Sequence, residues 1–204
     1  MNVQLVVIGA SAMGREACTY ARETGMSVKG FLDSRAELLD GFDGYPPILG
    51  PAEDYEIAAD DVFVCAVGDP AAKMQYAEKI AKKGGKFVSV IHPLAYIGQN
   101  VVLGVGCIVA PHATITNDTI LGNHVIVNIN ASVSHDNRIG NFTSISPGCH
   151  LAGRVTLGKC VFLGIGTNII PDVSLGQDVF VAAGAVVTKS VSSGRIMGIP
   201  AREK

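Results

Sequence analysis

One histidine in the sequence stands next to the residues that a proton-transfer site requires. His135 is followed by Asp136 and Asn137 in the segment SHDN at 134 to 137. A neutral imidazole whose second nitrogen is held by a carboxylate can take a proton from an attacking amine or hydroxyl, which contributes roughly 10²- to 10⁴-fold to a rate. We therefore take His135 as the candidate general base and Asp136 as its acidic partner, on its own chain or on a neighbouring one.

A second group of candidate residues follows the first apolar run. GASAMG at 9 to 14 has a serine, Ser11, where the dinucleotide fingerprint has the glycine that lets the backbone approach a pyrophosphate. The helix that begins there still favours an anion, and an acidic residue ends the next strand. We predict that a nucleotide phosphate or sugar binds near Gly9, Ser11, Gly14, Asp33, Gly68 and Asp69. The alternative is an ordinary tight turn between strand and helix.

The elements that position these residues belong to a small α/β unit. Strand, glycine turn, helix and strand follow one another at the N-terminus, and a similar order returns after a loop rich in glycine and proline. The predicted elements are strands at 4–8, 28–32, 62–67 and 86–91, and helices from the glycine turn to about residue 23 and from 71 to about 83. Ligands of such parallel sheets bind at the carboxyl ends of the strands.

A different pattern begins after this unit. Every sixth residue from Ile97 to Val187 is Ile, Leu or Val without exception. A period of six fits neither a helix nor a simple strand, so it indicates a repeated coil that points one side chain per hexad into a shared core. Three faces of six residues make a coil of eighteen, which predicts a triangular parallel β-helix. A sandwich of unrelated strands would show irregular spacing instead.

The fifth place of each hexad holds small or β-branched residues, as a narrow interior requires. Asn137 is the only amide at this place. Eighteen residues per coil put Asn117 and Gly153 one layer to either side of His135, which gives the histidine a polar neighbour and a bare backbone. A break in an otherwise consistent pattern is expected at a functional site, so the repeat itself points to the hexad of His135.

Composition excludes several classes of protein. The net charge of −2 gives no electrostatic reason to expect nucleic acid as a partner, and no apolar run is long enough to span a bilayer. The N-terminus lacks the features of a signal peptide. Five cysteines without a Cys-x-x-Cys pair are predicted to fill the core. We expect a soluble, cytoplasmic protein.

Several segments together resemble a known family. The SHD element, the run GCHLAGRVTLGKCVFLGIGTNIIPDVSLGQDVFVAAGAVVTKSV from Gly148 and the closing GIPAR are similar to the left-handed β-helix (hexapeptide-repeat) acyltransferases. With the glycine-rich βαβ unit before them, the whole chain resembles the NeuD-type sugar acetyltransferases. That family includes the enzyme that N-acetylates the UDP-linked 4-amino sugar of the bacillosamine pathway.

The resemblance implies a Rossmann-like domain at 1–91 that binds a nucleotide sugar, and a left-handed β-helix acyltransferase domain at 92–204 with a C-terminal tail. It implies a homotrimer with acetyl-CoA lying between subunits, and no metal. By position, Asn128 falls near the acceptor, and the pantetheine arm meets Ser146, Gly153 and Gly164 or Ile165. Ala12 and Met13 replace a Gly-His of many relatives, which removes a polar contact with the sugar nucleotide.

The expected activity is transfer of an acetyl group from acetyl-CoA to the amine of a UDP-type 4-amino sugar in surface glycan synthesis. O-acetylation of a sialic acid or related sugar is the alternative within the class. A non-catalytic trimeric scaffold that binds a nucleotide is the alternative outside it. A zinc carbonic anhydrase on the same fold would need three clustered histidines, which the spacing does not provide. A nicotinamide oxidoreductase is disfavoured by Ser11.

Overall fold

The computed structural model describes residues 3–198, and its first part is a parallel α/β unit. Four strands form one sheet in the order β2-β1-β3-β4, with helices between them as the sequence predicted. The elements are β1 (Gln4–Ile8), α1 (Ala12–Glu23), β2 (Ser27–Leu32), a 3₁₀ helix (Ala36–Leu39), β3 (Asp61–Cys65), α2 (Pro70–Lys82) and β4 (Lys86–Phe87). The carboxyl ends of β1, β2 and β3 therefore meet at one edge.

The predicted strand at 86–91 is divided between two sheets, which corrects that interpretation. Lys86 and Phe87 pair with β3, whereas β5 (Val90–Ile91) pairs with a strand of the repeat region. The reason lies in the hexad, since Ile91 stands six residues before Ile97 and already has its register. The division of the chain at residues 91 and 92 stays a prediction.

The rest of the chain is a parallel β-helix with strands of two residues, consistent with the left-handed winding that the family implies. We name one of its three faces by the domain that covers it and the other two by their number of strands. The domain face has β5 (Val90–Ile91), β8 (Ile108–Val109), β11 (Ile126–Val127), β14 (Ser144–Ile145), β17 (Phe162–Leu163), β20 (Phe180–Val181) and β22 (Arg195–Ile196). The six-strand face has β6 (Tyr96–Ile97), β9 (Thr114–Ile115), β12 (Ser132–Val133), β15 (His150–Leu151), β18 (Asn168–Ile169) and β21 (Val186–Val187). The five-strand face has β7 (Val102–Leu103), β10 (Ile120–Leu121), β13 (Arg138–Ile139), β16 (Thr156–Leu157) and β19 (Ser174–Leu175).

The interior of the β-helix follows the hexad. All hexad positions from Val109 to Val187 are buried, and Ile97 and Leu103 pack against them. The stacked pairs are eighteen residues apart, as in Val127 beside Ile145, except at the last strand, where Val181 pairs with Ile196. The cysteines at fifth places, like the other three, are buried free thiols. Residues 199–202 of the GIPAR motif lie outside the described residues.

The first domain packs directly on the domain face. Val90, Ile108 and Ile126 share an apolar core with α1 and the four-stranded sheet. Lys73 belongs to α2, and its side chain is completely buried against this face. Its Nζ donates to the carbonyl oxygen of Thr143 at 3.2 Å and to Oγ of Ser144 at 2.7 Å. The lysine thus joins the two parts of the chain by hydrogen bonds.

His124 lies in the same interface and is also removed from solvent. Its ring stacks on Phe142 and meets Phe87 edge-on, and its Nδ1 has no hydrogen-bond partner among the described residues. Burial, with the charge of Lys73 adding to it, lowers the pKa of His124 to about 4. His124 is therefore a neutral packing residue near pH 7.

Lys73 makes the stability of the protein depend on pH. Burial lowers its pKa to about 7, from 10.5 for an exposed lysine. Between these values the unfolded chain binds a proton that the folded chain does not, so the free energy of unfolding rises with pH through that window. In urea unfolding at pH 7 and pH 9.5, the wild type should gain up to about 3 kcal/mol relative to Lys73→Met. Parallel pH curves for the two proteins would contradict this.

Candidate active site

His135 and Asp136 form a hydrogen-bonded pair at a corner of the β-helix. Nδ1 of His135 lies 2.7 Å from Oδ2 of Asp136 in the same chain, and both side chains are about half exposed. Asp136 has a left-handed backbone, with φ at 62°, which lets these two adjacent side chains meet at the turn. When Nδ1–H donates to the carboxylate, Nε2 keeps its lone pair for a proton. The side chains are therefore arranged as a base and its orienting acid.

The histidine lies against the bare backbone of the next coil. A Cβ built on Gly153 would come within 2.5 Å of Cε1 of His135, so a side chain at this position would displace the ring from where it lies. On the other side, the backbone of Asn117 accepts a hydrogen bond from the N–H of Asp136, at 3.1 Å. The amide oxygen of Asn117 accepts from Gln99 instead, at 3.0 Å. The predicted neighbours are present, and Asn117 contributes through its main chain.

A pocket of about 330 Å³ opens at the carboxyl ends of β1, β2 and β3. Four of the residues predicted to bind a nucleotide line it together: Gly9, Ser11, Asp33 and Gly68. Arg35, Glu53 and Tyr76 also line it, and sequence reasoning missed them because loops and a helix bring them there from outside the motif. The position agrees with the rule that parallel sheets bind ligands at this edge.

Asp33 is held rigidly at the rim of this pocket. Its carboxylate accepts hydrogen bonds from the N–H of Ala10, at 3.1 Å, and from the backbone and guanidinium of Arg35. Burial acts to raise the pKa of Asp33, but these hydrogen bonds outweigh it and the pKa lies below its usual value. The side chain is thus an ionised acceptor of fixed orientation, as contact with a ribose hydroxyl would require.

Two of the residues predicted to bind a nucleotide, Gly14 and Asp69, do not line the pocket. A Cβ on Gly14 would come within 2.0 Å of the carbonyl oxygen of Gly9, so Gly14 allows helix α1 to approach the turn closely. Asp69 is the N-cap of α2, and its Oδ1 accepts from the N–H of Ala72 at 2.8 Å. Their contact with a ligand stays a prediction, and the structure gives each of them a role in the fold.

A narrow cleft continues from the pocket to the β-helix. Its lining includes Met13 and Gly68 from the first domain and Asn128, Ser146 and Phe162 from the second. Gly68 lines both the pocket and the cleft. Nδ2 of Asn128 lies 3.9 Å from Sδ of Met13, so the replacement of a family histidine by methionine places an apolar group at this point. The pocket and the cleft therefore meet at Gly68.

The cleft and the histidine occupy different corners of the prism. Asn128 follows a strand of the domain face and begins the turn to the six-strand face, which we call the cleft corner. His135 lies in the next turn, between the six-strand and five-strand faces, which we call the histidine corner. In a triangle this corner is opposite the domain face. A ligand bound by the first domain therefore lies on the far side of the β-helix from His135 of its own chain.

Asn128, which is predicted to lie near the acceptor, and the residues predicted to contact acetyl-CoA follow these two corners. Asn128, Ser146 and Gly164 are eighteen residues apart and stack along the cleft corner, with Ile165 exposed beside them. Gly153 lies on the histidine corner. The structure thus does not bring all of them together within one chain, and their roles stay predictions.

Two further observations concern residues 3–198 as a whole. No three His, Cys, Asp or Glu side chains in this range are grouped so that they can hold a metal ion. No helix in it has both the length and the apolar character needed to cross a membrane.

Known proteins resemble this chain both in its first domain and over nearly its whole length. Residues 4–80 match the family model described as the PglD N-terminal domain. The acetyltransferase domain of PglB from Neisseria gonorrhoeae FA1090 is 30% identical, with a TM-score of 0.88 over 98% of this chain and 99% of that one. A second structure of that domain contains acetyl coenzyme A and is 29% identical, with a TM-score of 0.88 over 99% of each chain. No curated protein matches the chain significantly.

PerB from Caulobacter crescentus, solved with CoA and GDP-perosamine, is 30% identical with a TM-score of 0.86 over 98% of this chain and 97% of that one. The fold and site thus define an acetyl-CoA-dependent sugar acetyltransferase of the β-helix class. Within that class, the chain belongs to the PglD and NeuD family of hexapeptide-repeat acetyltransferases.

Proposed function

We propose that this enzyme transfers the acetyl group of acetyl-CoA to the amine of a nucleotide-activated 4-amino sugar of UDP type, for surface glycan synthesis in the cytoplasm. The observation that carries the proposal is the His135–Asp136 pair, whose Nε2 is available at the same coil level as the cleft that continues from the pocket. PerB, which was solved with a nucleotide-linked amino sugar and CoA, supports this substrate class.

In the proposed reaction, the amine nitrogen attacks the thioester carbonyl carbon while Nε2 of His135 takes the proton of the amine. The carbonyl oxygen becomes an oxyanion, which a backbone N–H at a glycine-bearing coil stabilises. The C–S bond then breaks, and CoA leaves as a thiolate that receives the proton. Asp136 orients the imidazole and stabilises the imidazolium that forms in between.

We further propose that each active site is shared between neighbouring chains of a homotrimer. Within one chain, His135 is separated from the cleft corner by a whole side of the triangle, at most about 20 Å for six residues. Because Asn128 and His135 belong to consecutive hexads, the two corners lie at the same level. A three-fold assembly can therefore bring the histidine corner of one chain against the cleft corner of the next. Acetyl-CoA would lie between them.

The substrate is tested by following thiol release with acetyl-CoA and a panel of UDP-, GDP- and dTDP-linked 4-amino sugars. We expect release to require both substrates and to be fastest with a UDP sugar, with the product acetylated at nitrogen. A free sugar acid that outcompetes every nucleotide sugar would instead indicate O-acetylation. Binding of acetyl-CoA without transfer to any member of the panel would indicate a scaffold and overturn the proposal.

A further inference from the structure

Asn137 is a buried amide inside the β-helix, beside the candidate base. It occupies the fifth place of its hexad and has no exposed surface. Burial of an amide without partners is strongly unfavourable, so the contacts of this side chain show what it stabilises. Each of these contacts is with the main chain of the histidine corner.

The amide joins the turn that carries His135 to the turn above it. Its Nδ2 donates to the carbonyl oxygens of Ser134, at 2.7 Å, and Ala152, at 3.1 Å. Its Oδ1 accepts from the N–H of Val155 at 2.5 Å. Ser134 directly precedes the histidine, while Ala152 and Val155 flank the segment containing Gly153, against which the ring lies. One side chain therefore fixes both the base and the surface that supports it.

Other polar residues at the fifth place do less. Thr119, Thr143 and Thr167 each donate to a carbonyl fifteen residues ahead, in the next coil. Thr119 and Thr167 also donate to a carbonyl of their own turn, but none of the three side chains accepts a hydrogen bond from the main chain as Asn137 does. Asn137 makes the same fifteen-residue contact and adds a second donor and an acceptor. The Ser134 carbonyl receives hydrogen bonds from Thr119, at 2.9 Å, as well as from Asn137.

We infer that Asn137 is a positioning residue for the acetyl transfer, which acts through His135 by fixing the turn 134–136 from inside the prism. The inference rests on the proposed role of His135. Loss of the amide releases the carbonyl of Ala152 and the N–H of Val155 and leaves Ser134 with one donor. The imidazole then has a less defined direction, and a displacement of about 1 Å can reduce a rate by about 10²-fold.

The test compares the steady-state kinetics of four variants over a range of both substrate concentrations, well below their melting temperatures. Asn137→Val should lower kcat by about 10- to 100-fold while both KM values stay within about twofold. Asn137→Thr restores the fifteen-residue donor and should recover part of kcat. Thr143→Val removes the equivalent single contact at the corner between the five-strand and domain faces, so it should keep kcat within about twofold.

The variant His135→Ala separates the possible outcomes. If it loses activity while Asn137→Val keeps a wild-type kcat, the amide has only a structural role and the inference is wrong. If His135→Ala itself keeps activity, the proposed base is wrong. If Asn137→Val does not fold, the partial recovery of kcat in Asn137→Thr decides, and an Asn137→Thr protein with wild-type kcat would overturn the inference.

Discussion

His135→Ala is expected to lower kcat for CoA release by roughly 10²- to 10⁴-fold, the usual contribution of a positioned general base. The substitution removes the proposed proton acceptor without disturbing the interior, since the imidazole is about half exposed. KM for acetyl-CoA should change little, because the thioester does not depend on the imidazole for binding. The measurement is steady-state thiol release, with bound acetyl-CoA determined by calorimetry.

Two other variants calibrate this result. Asp136→Asn retains a side chain that tolerates the left-handed backbone of Asp136, but removes the charge that stabilises an imidazolium. Its kcat should fall by less than that of His135→Ala. His150→Ala alters a histidine on the six-strand face, whose Nδ1 contacts Ser132, and should keep kcat within about twofold. Equal losses in His135→Ala and His150→Ala would remove the reason to assign the base to His135.

Two inactive variants should restore activity to each other if the site is shared between chains. Gly68→Phe closes the path between pocket and cleft, and its position has open space around the Cβ and no left-handed backbone, so the fold should tolerate it. His135→Ala lacks the base. In trimers assembled at random from equal amounts, half of the pockets are intact and half of the neighbouring histidines are intact. About a quarter of the sites in the random mixture therefore work, and in trimers that contain both variants one site in three works.

The mixture is made by co-expression with two different affinity tags and purified through both. Each variant alone should have less than about 1% of wild-type kcat, so recovery to tens of per cent is readily measured. A mixture that stays as inactive as its parts, although both tags are retained, would show that one chain supplies the pocket and the base of each site.

The sequence was sufficient for the β-helix because the repeat is strict. An interior with one large and one small residue per hexad leaves little freedom, and all fifth-place residues from Cys107 to Ala185 are buried. The βαβ unit was predictable because strand, glycine turn, helix and strand follow one another in the sequence. The division of the strand at 86–91 was not, because the run KFVSVI contains no glycine or proline to mark a break and only the partner sheets separate its two halves.

The candidate site was predictable in its parts and not in its arrangement. The hexad break identified His135, and the motif at 9–14 led to the pocket. Arg35 escaped notice because its role follows from a contact with Asp33 that no spacing reveals. That His135 lies opposite the first domain follows from which face the domain covers, and no spacing in the sequence reveals this.

The eighteen-residue coil also sets which changes in chain length the enzyme can accept. An insertion of six residues between Ile126 and His135 would keep the apolar positions inside but turn every later residue onto the next face. An insertion of eighteen would return each residue to its face and raise it by about 4.8 Å. Since the first domain packs on Val90, Ile108 and Ile126, which precede such an insertion, either change would move His135 relative to the first domain. Length is thus fixed over this stretch, while whole coils beyond Phe180 can be added without altering the geometry of the site.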